Sequence, residues 1–367
     1  MKPHTMKLII QIPCKDEAGQ LPATLADLPR ELPGFDSIEV LVIDDGSTDD
    51  TIAVARAHGV HHIVRLTNNK GLASAFQAGM DAALKLGADV VVNTDADNQY
   101  RGEDISKLVA PIVAGDADMV IGDRDVTSID HFSPLKKRLQ RIGSRVVRAA
   151  SSTGVPDTTS GFRAYNREAA LQILIVSRFT YTLESIIQSG KQLVAIDHVP
   201  IRTNPQTRDS RLFPSMWSYV RRNAISIFRI YTQYEPLRVF LTAAGVLLLA
   251  AFGVWVRFIV AYAQGKGSGH VQSLILGAVL FNAGVVVAAL GVIGDLLSAQ
   301  RTMIQRTHER VRRIELQLGI PPSHYESVAE SAPAVPAPTS PAAPVPPTPP
   351  SSNGQHDAAR AGEEAGP

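Results

Sequence analysis

Val90-Val91-Val92-Asn93-Thr94-Asp95-Ala96-Asp97-Asn98-Gln99 is an apolar run that ends in two carboxylates one residue apart. A short apolar run closed by polar residues reads as a strand buried on both faces. The same pattern recurs along the chain. Residues 8–12, 37–43, 62–66, 90–94 and 119–122 all read as strands, with helical periodicity between them, as at 49–58 and 71–86. Strands alternating with helices predict an α/β fold with a mostly parallel sheet covered on both faces. Three strands run into polar tips: Pro13-Cys14-Lys15-Asp16-Glu17, Asp44-Asp45-Gly46-Ser47 and Asp95-Ala96-Asp97. Ligands bind outside the carboxyl ends of such strands, so the three tips predict one shared site.

Bulk properties narrow the function. The chain has 367 residues and a formal net charge of +1, so no basic excess points to nucleic acid. The single cysteine, Cys14, excludes an intramolecular disulfide framework and a cysteine zinc site. It reads as a small buried hydrophobe near a strand end. The N-terminus leads straight into the first strand, which is too short for a signal-peptide core, so the front half is expected in the cytoplasm.

The back half differs in polarity. Residues 239–256 and 271–294 are stretches of 18 and 24 residues without a charge. At ~1.5 Å per residue they approach or exceed a hydrocarbon core of ~30 Å, which predicts two transmembrane helices over about 237–260 and 271–296. Arg221, Arg222, Arg229 and Arg238 precede the first span, and Arg301, Arg306, Arg310, Arg312 and Arg313 follow the second. The loop between them offers only Lys266. Both flanks are therefore expected on the cytoplasmic side of the inner membrane. Residues 213–236 mix aromatics with arginines and suit an interfacial amphipathic helix or linker. A cytoplasmic basic helix is expected over 301–319, and a disordered Pro/Ala-rich tail over 320–367. Gly277, Gly284, Gly291 and Gly294 permit close helix packing, within the hairpin or in a homo-oligomer.

Three segments carry chemistry. Asp95 and Asp97 can both reach a hard divalent cation, with Gln99 adding a carbonyl oxygen. Mg²⁺ and Mn²⁺ take such oxygen ligands and share them with substrate phosphates. Asp44 and Asp45 end a buried strand before a Gly turn and a Ser/Thr/Asp helix start; two adjacent acids there can bind ribose hydroxyls or a base edge. Asp157-Thr158-Thr159-Ser160-Gly161-Phe162-Arg163 offers a carboxylate, hydroxyls and a guanidinium able to hold phosphate.

Taken together the motifs resemble glycosyltransferase family 2. The resemblance rests on Ile12-Pro13-Cys14-Lys15-Asp16-Glu17, Asp44-Asp45-Gly46-Ser47-Thr48-Asp49, Asn69-Lys70-Gly71-Leu72, Asp95-Ala96-Asp97, Gly122-Asp123-Arg124 and Ser160-Gly161-Phe162-Arg163, in family order, over roughly residues 7–235. Within the family the chain looks like the polyprenyl-phosphate, or dolichyl-phosphate-type, mannosyl- and glucosyltransferases. This implies a GT-A domain over 6–212, inverting transfer of one hexose from a GDP- or UDP-sugar, and a polyprenyl phosphate acceptor in the bilayer. By position, Pro13, Asp16, Glu17, Asp44, Asp45, Lys70 and Asp95 would hold the nucleotide. Asp95, Asp97 and Gln99 would hold the metal, Mg²⁺ or Mn²⁺. Asp157 would lie beside the reacting centre, Arg124 and Arg163 would offset phosphate charge, and Lys137 would meet the acceptor phosphate. The usual small-residue motif before the arginine is Gly122-Asp123-Arg124 here, which adds a negative charge.

Three alternatives stand beside this reading. A processive polysaccharide synthase would carry an Arg-Trp acceptor motif and more spans, and no Arg-Trp pair occurs. A non-catalytic scaffold would have no need of the acids. A transferase with another acceptor, diacylglycerol or protein, keeps the same donor site.

Overall fold

The computed structural model describes residues 6–124, 153–176, 181–205, 221, 225, 228, 229, 231–265 and 271–327. The chain runs β1 (Lys7–Cys14), α1 (Leu21–Asp27), β2 (Ser37–Asp44), α2 (Thr51–Ala57), β3 (His62–Arg65), α3 (Leu72–Lys85) and β4 (Val90–Asn93). A 3-10 turn, Gly102–Asp104, leads into α4 (Ile105–Ala114) and β5 (Met119–Asp123). Then come β6 (Arg163–Asn166), α5 (Arg167–Gln172), α6 (Thr182–Lys191), β7 (Ile196–Pro200), α7 (Pro236–Ala263), α8 (Val271–Gln317) and β8 (Tyr325–Ser327).

The strands form one mixed sheet in the order β7-β5-β6-β4-β1-β2-β3-β8. The run β3-β2-β1-β4 is parallel, β6 lies antiparallel between β4 and β5, and β8 closes the β3 edge antiparallel. Side chains of the central strands alternate between two cores. Ile9, Leu41, Ile43 and Val91 meet Phe76, Met80 and Leu84 of α3. Ile10, Ile12, Val42, Val90 and Val92 meet Ile105, Leu108 and Ile112 of α4 on the other face. Strands buried on both sides are apolar at most positions, which is why they read as near-continuous apolar runs in the sequence.

The expected strands and the helices at 49–58 and 71–86 correspond to observed elements within a few residues. Three strands had not been expected, β6, β7 and the C-terminal β8. β6 reads Arg-Ala-Tyr-Asn and β7 reads Ile-Asp-His-Val-Pro, so neither is an apolar run. The sheet is also less parallel than expected, because β6 enters from the opposite end.

The hairpin α7–α8 packs through small residues. A Cβ at Gly277 would lie 2.2 Å from Trp255 Nε1, one at Gly284 2.9 Å from Leu248, and one at Gly291 2.9 Å from Phe240. The glycines expected to serve either a hairpin or an oligomer therefore face α7 of the same chain. Both helices are long and apolar enough to cross a membrane, and little of either is buried within the protein.

Two boundaries are corrected. The expected break between a span ending near 296 and a separate basic helix at 301–319 does not occur. α8 runs through both, since no Gly or Pro interrupts the segment 295–317. The disordered tail does not begin at 320: Tyr325–Ser327 pair with β3, held by Arg56 to Glu326 at 2.6 Å and Tyr325 to His62 at 2.9 Å. The unpaired edge of β3 accepts this strand. Residues 328–367 lie outside the described residues, as do most of 213–236.

Candidate functional site

The site is built at the carboxyl-terminal end of the central strands. The carboxyl ends of β1, β2, β4 and β5 point the same way, and the antiparallel β6 starts there. Cys14 pairs with Asp44, and Asn93 pairs with both Gln11 and Arg163. The register therefore brings the loops after four strands together with the loop before a fifth.

After β1, Asp16 sits at a positive φ of 54°. Its Oδ1 accepts from the Thr48 backbone N–H at 2.7 Å, and Ser47 Oγ accepts from the Asp16 N–H at 2.9 Å. The Thr48 amide and the Lys15 ammonium lower the Asp16 carboxyl to about 2. Pro13 is buried at the strand end, and the Glu17 N–H donates to Thr51 Oγ1 at 2.9 Å. These bonds tie the β1 and β2 loops into one wall.

At the end of β2 the two acids differ. Asp44 Oδ1 accepts from the Ser47 N–H at 3.0 Å, while its buried Oδ2 accepts no hydrogen bond from the described residues and lies 3.9 Å from Arg65 Nε. Asp45 is turned inward instead. Its two oxygens accept the N–H groups of Lys70 and Gly71 at 2.7 and 2.9 Å, so it holds the 69–71 loop by the backbone. The Lys70 side chain is exposed. Gly46 between the loops has φ 68°, and a Cβ there would lie 2.7 Å from the Asn68 carbonyl carbon. Only glycine fits both the angle and the approach.

After β4, Asp95 and Asp97 flank buried Ala96, whose carbonyl accepts from Thr24 Oγ1 of α1 at 2.9 Å. The Gln99 N–H donates to Asp97 Oδ1 at 3.1 Å. Burial and the Asp97 charge push the Asp95 carboxyl up to about 7, against the opposing pull of Arg124 and Arg163. A shared cation would remove that repulsion. Among the described residues no group of three or more His, Cys, Asp or Glu is arranged to hold a metal. Two carboxylates that leave most positions open fit Mg²⁺ or Mn²⁺, which usually keep waters and substrate phosphates as the remaining ligands.

Arg124, just past β5, grips Asp157 with both arms: Nε to Oδ2 at 2.7 Å and Nη2 to Oδ1 at 3.1 Å. Arg124 Nη2 also donates to Thr159 Oγ1 at 2.9 Å. Asp157 is 3% exposed. Burial acts to raise its carboxyl, but Arg124 and the two Thr159 donors outweigh that and hold it below the ordinary value. Gly161 approaches Asp95 so closely that a Cβ would lie 3.1 Å from each carboxylate oxygen and 2.8 Å from Tyr181 Oη. The Asp157 loop and the Asp95 loop thus form one acidic-and-basic cluster.

Arg163 acts on it only by charge, from beneath. The expectation that its fork holds phosphate is corrected by its surroundings. It is fully buried, with Nε donating to Ser160 O at 2.7 Å, Nη2 to Thr158 O at 3.1 Å, and Nη1 to Thr182 O and Ser185 Oγ at 2.8 and 2.7 Å. Its donors are spent on shaping the 157–163 loop. Lys137, expected at the acceptor phosphate, lies outside the described residues.

The sequence reading missed the polar layer beneath. Gln11 Nε2 donates to Asn93 Oδ1 at 2.9 Å, and Asn93 Nδ2 donates to Gly161 O and Tyr181 Oη at 2.8 and 2.9 Å. The Gly161 N–H donates to Tyr100 Oη at 3.1 Å. Phe76 stacks on Tyr181 at 4.0 Å and Phe162 on Tyr100 at 4.9 Å. The available sign was a polar residue inside each apolar strand, Gln11 and Asn93.

Comparison with known proteins gives a consistent result. The sequence model described as "Glycosyl transferase family 2" matches residues 9–174. Polyprenol monophosphomannose synthase of Mycolicibacterium smegmatis is 31% identical over 176 residues, covering 46% of this chain and 65% of that protein. Undecaprenyl-phosphate mannosyltransferase of Micrococcus luteus is 32% identical over 169 residues, covering 44% of this chain and 68% of that protein. Among solved structures, glucosyl-3-phosphoglycerate synthase from Mycobacterium tuberculosis is similar at 20% identity and a TM-score of 0.47, covering 60% of this chain and 80% of that one.

Proposed function

The chain belongs to glycosyltransferase family 2, and on that premise we propose that it moves one hexose from a GDP- or UDP-sugar to a polyprenyl phosphate, with inversion, at the cytoplasmic face of the inner membrane. The observation that carries this reading is the cluster of Asp95, Asp97, Arg124 and Asp157 at the carboxyl-terminal end of the central strands, in a chain that also has two apolar helices. The names of the two mannosyl-transferring relatives support the acceptor class.

In this proposal Pro13, Asp16, Glu17 and Asp44 hold the nucleoside. The buried Asp44 Oδ2, which accepts no hydrogen bond from the described residues, suits a ribose hydroxyl or a base N–H. Asp45 fixes the Lys70 loop beside it. Asp95 and Asp97, with Gln99 next to them, would hold Mg²⁺ or Mn²⁺, which would supply positive charge for the donor diphosphate. Such an ion offsets the charge that develops on the leaving group. Arg124 adds a fixed cation to the same region. The acceptor phosphate is anionic near neutral pH and needs no strong base, so Asp157 acts by orienting the acceptor and by its charge near an oxocarbenium-like centre.

The test is a membrane-fraction assay with a short polyprenyl phosphate, labelled GDP- and UDP-hexoses, Mg²⁺ or Mn²⁺, and chelator controls. Metal-dependent label in the organic phase, released by mild acid, is the expected result. Label in an acid-stable lipid or in protein would move the acceptor assignment, and no transfer from any donor by folded protein would sink the proposal.

A further inference from the structure

α8 continues well past its apolar part. At ~1.5 Å per residue, the segment 295–317 extends the helix by about 35 Å beyond residue 294. Along this extension Arg301, Gln305, His308, Arg312 and Glu315 follow a spacing of four and three residues, which puts them on one face. That face meets the transferase domain. Gln305 and Arg312 are buried, whereas Met303, Ile304, Val311 and Ile314 are exposed. The docking face is therefore mostly polar, with Leu316 packed against the core at its far end, and it acts at defined points.

Near the membrane end, Arg301 Nη2 donates to Glu184 Oε1 at 2.8 Å, and Nη1 donates to Gln233 Oε1 at 3.0 Å. Its guanidinium carbon lies 4.6 Å from the centre of the Tyr234 ring, and the Glu184 side chain is 2% exposed. Three turns on, Arg312 Nη1 donates to the carbonyls of Ala170, Leu171 and Ile173 at 3.0, 3.2 and 3.4 Å, which end α5. Glu315 pairs with Lys85 of α3 at 3.0 Å, and Arg313 pairs with Glu168 at 2.5 Å. The helix is thus bolted to α3, α5 and α6. Glu184 belongs to α6, which also supplies Thr182 O and Ser185 Oγ to Arg163, the residue that shapes the Asp157 loop.

We propose that α8 is a strut that sets the height of the transferase site above the bilayer, with Arg301 and Arg312 as its positioning residues. This rests on the function proposed above. An acceptor phosphate on a membrane lipid stays at headgroup depth, so the site must be held at one level to meet it. A continuous helix bonded at two points three turns apart fixes both height and tilt. A single polar contact would leave the domain free to pivot.

The experiment uses the full chain in lipid nanodiscs. A dye on Asp116→Cys, an exposed position in the domain, is paired with labelled headgroup lipids, and Cys14 stays silent because it is buried. Arg301→Met with Arg312→Met should broaden the dye-to-bilayer distance distribution. Transfer to a long polyprenyl phosphate in the disc should fall at least about tenfold, since displacement by ~1 Å can cost ~10²-fold, while transfer to a short water-soluble isoprenyl phosphate stays within about twofold. Arg301→Lys with Arg312→Lys, which keeps the charges but not the forks, should fall between. An unchanged distance distribution in both pairs would overturn the strut. So would equal losses on the two acceptors, which would mark a general fold defect. If the parent protein transfers to neither acceptor, the function proposal fails and the distances alone decide the strut.

Discussion

Arg124 holds Asp157 in a two-pronged ion pair, Nε to Oδ2 at 2.7 Å and Nη2 to Oδ1 at 3.1 Å, although the two residues are 33 positions apart. The pair links the end of β5 to the loop before β6. Asp157→Asn keeps the shape and removes the charge. Transfer should fall by about 10²-fold or more if the carboxylate orients the acceptor. Donor affinity, read by nucleotide-sugar titration, should change little. A near-normal rate in folded Asp157→Asn would remove this residue from the site.

If Asp95 holds the proposed cation, its raised carboxyl makes that binding depend on pH. Its folded value of about 7 lies above the ordinary 3.8, so protonation favours the metal-free fold, and that contribution is lost as pH rises through about 7. A divalent cation needs the carboxylate. The thermal shift given by Mn²⁺ should therefore grow from about pH 6 to about pH 8 and be absent in Asp97→Ala. A shift of equal size at both pH values would contradict the assignment.

Gly161→Ala tests the closeness of the two loops. The new methyl would sit 3.1 Å from both Asp95 oxygens and 2.8 Å from Tyr181 Oη. The Tyr181 hydroxyl must shift, and the Asp95 carboxylate must give by a few tenths of an ångström. The expected outcome is weaker Mn²⁺ binding and a rate down by about tenfold or more with far-ultraviolet circular dichroism intact. Unchanged metal binding would mean that the Asp95 geometry is not critical.

Arg163→Lys separates scaffold from ligand contact. Lysine cannot reproduce the four-point fork, so carbonyls of Thr158, Ser160 and Thr182 lose donors. Thr182 O keeps its bond from Ser185 Oγ at 3.2 Å, so the loss falls mainly on Ser160 O in the 157–163 loop, and a buried acceptor left without a donor costs about 1–3 kcal/mol. A lower melting temperature and a lower kcat are expected, with donor KM nearly unchanged. A selective rise in donor KM at normal stability would return Arg163 to the phosphate.

The C-terminal strand gives a paired truncation. A chain ending after residue 331 keeps β8 and should match the full chain in rate and melting temperature. A chain ending after residue 323 loses the Arg56–Glu326 and His62–Tyr325 contacts and bares the β3 edge. It should melt several degrees lower and aggregate more readily. Equal behaviour of the two chains would leave β8 without a structural role.

The strands at the centre of the sheet are legible in the sequence because burial on both faces makes them apolar at most residues, as in β1, β2 and β4. The sequence by itself also determined the acids at their tips and the two apolar helices, since both are local patterns. It did not reveal β6, β7 or β8, whose pairing is set by neighbours far away in the chain. Tertiary structure alone decided which way each polar side chain faces. Asp44 keeps a carboxylate oxygen without a hydrogen bond from the described residues while adjacent Asp45 is spent on two amides. Arg124 grips Asp157 at the site while Arg163, from the same stretch of motif, is buried beneath it. The physical reason is that a guanidinium or carboxylate is equally able to bind a ligand or satisfy a buried backbone group. Only the packed fold settles which partner is within hydrogen-bond reach.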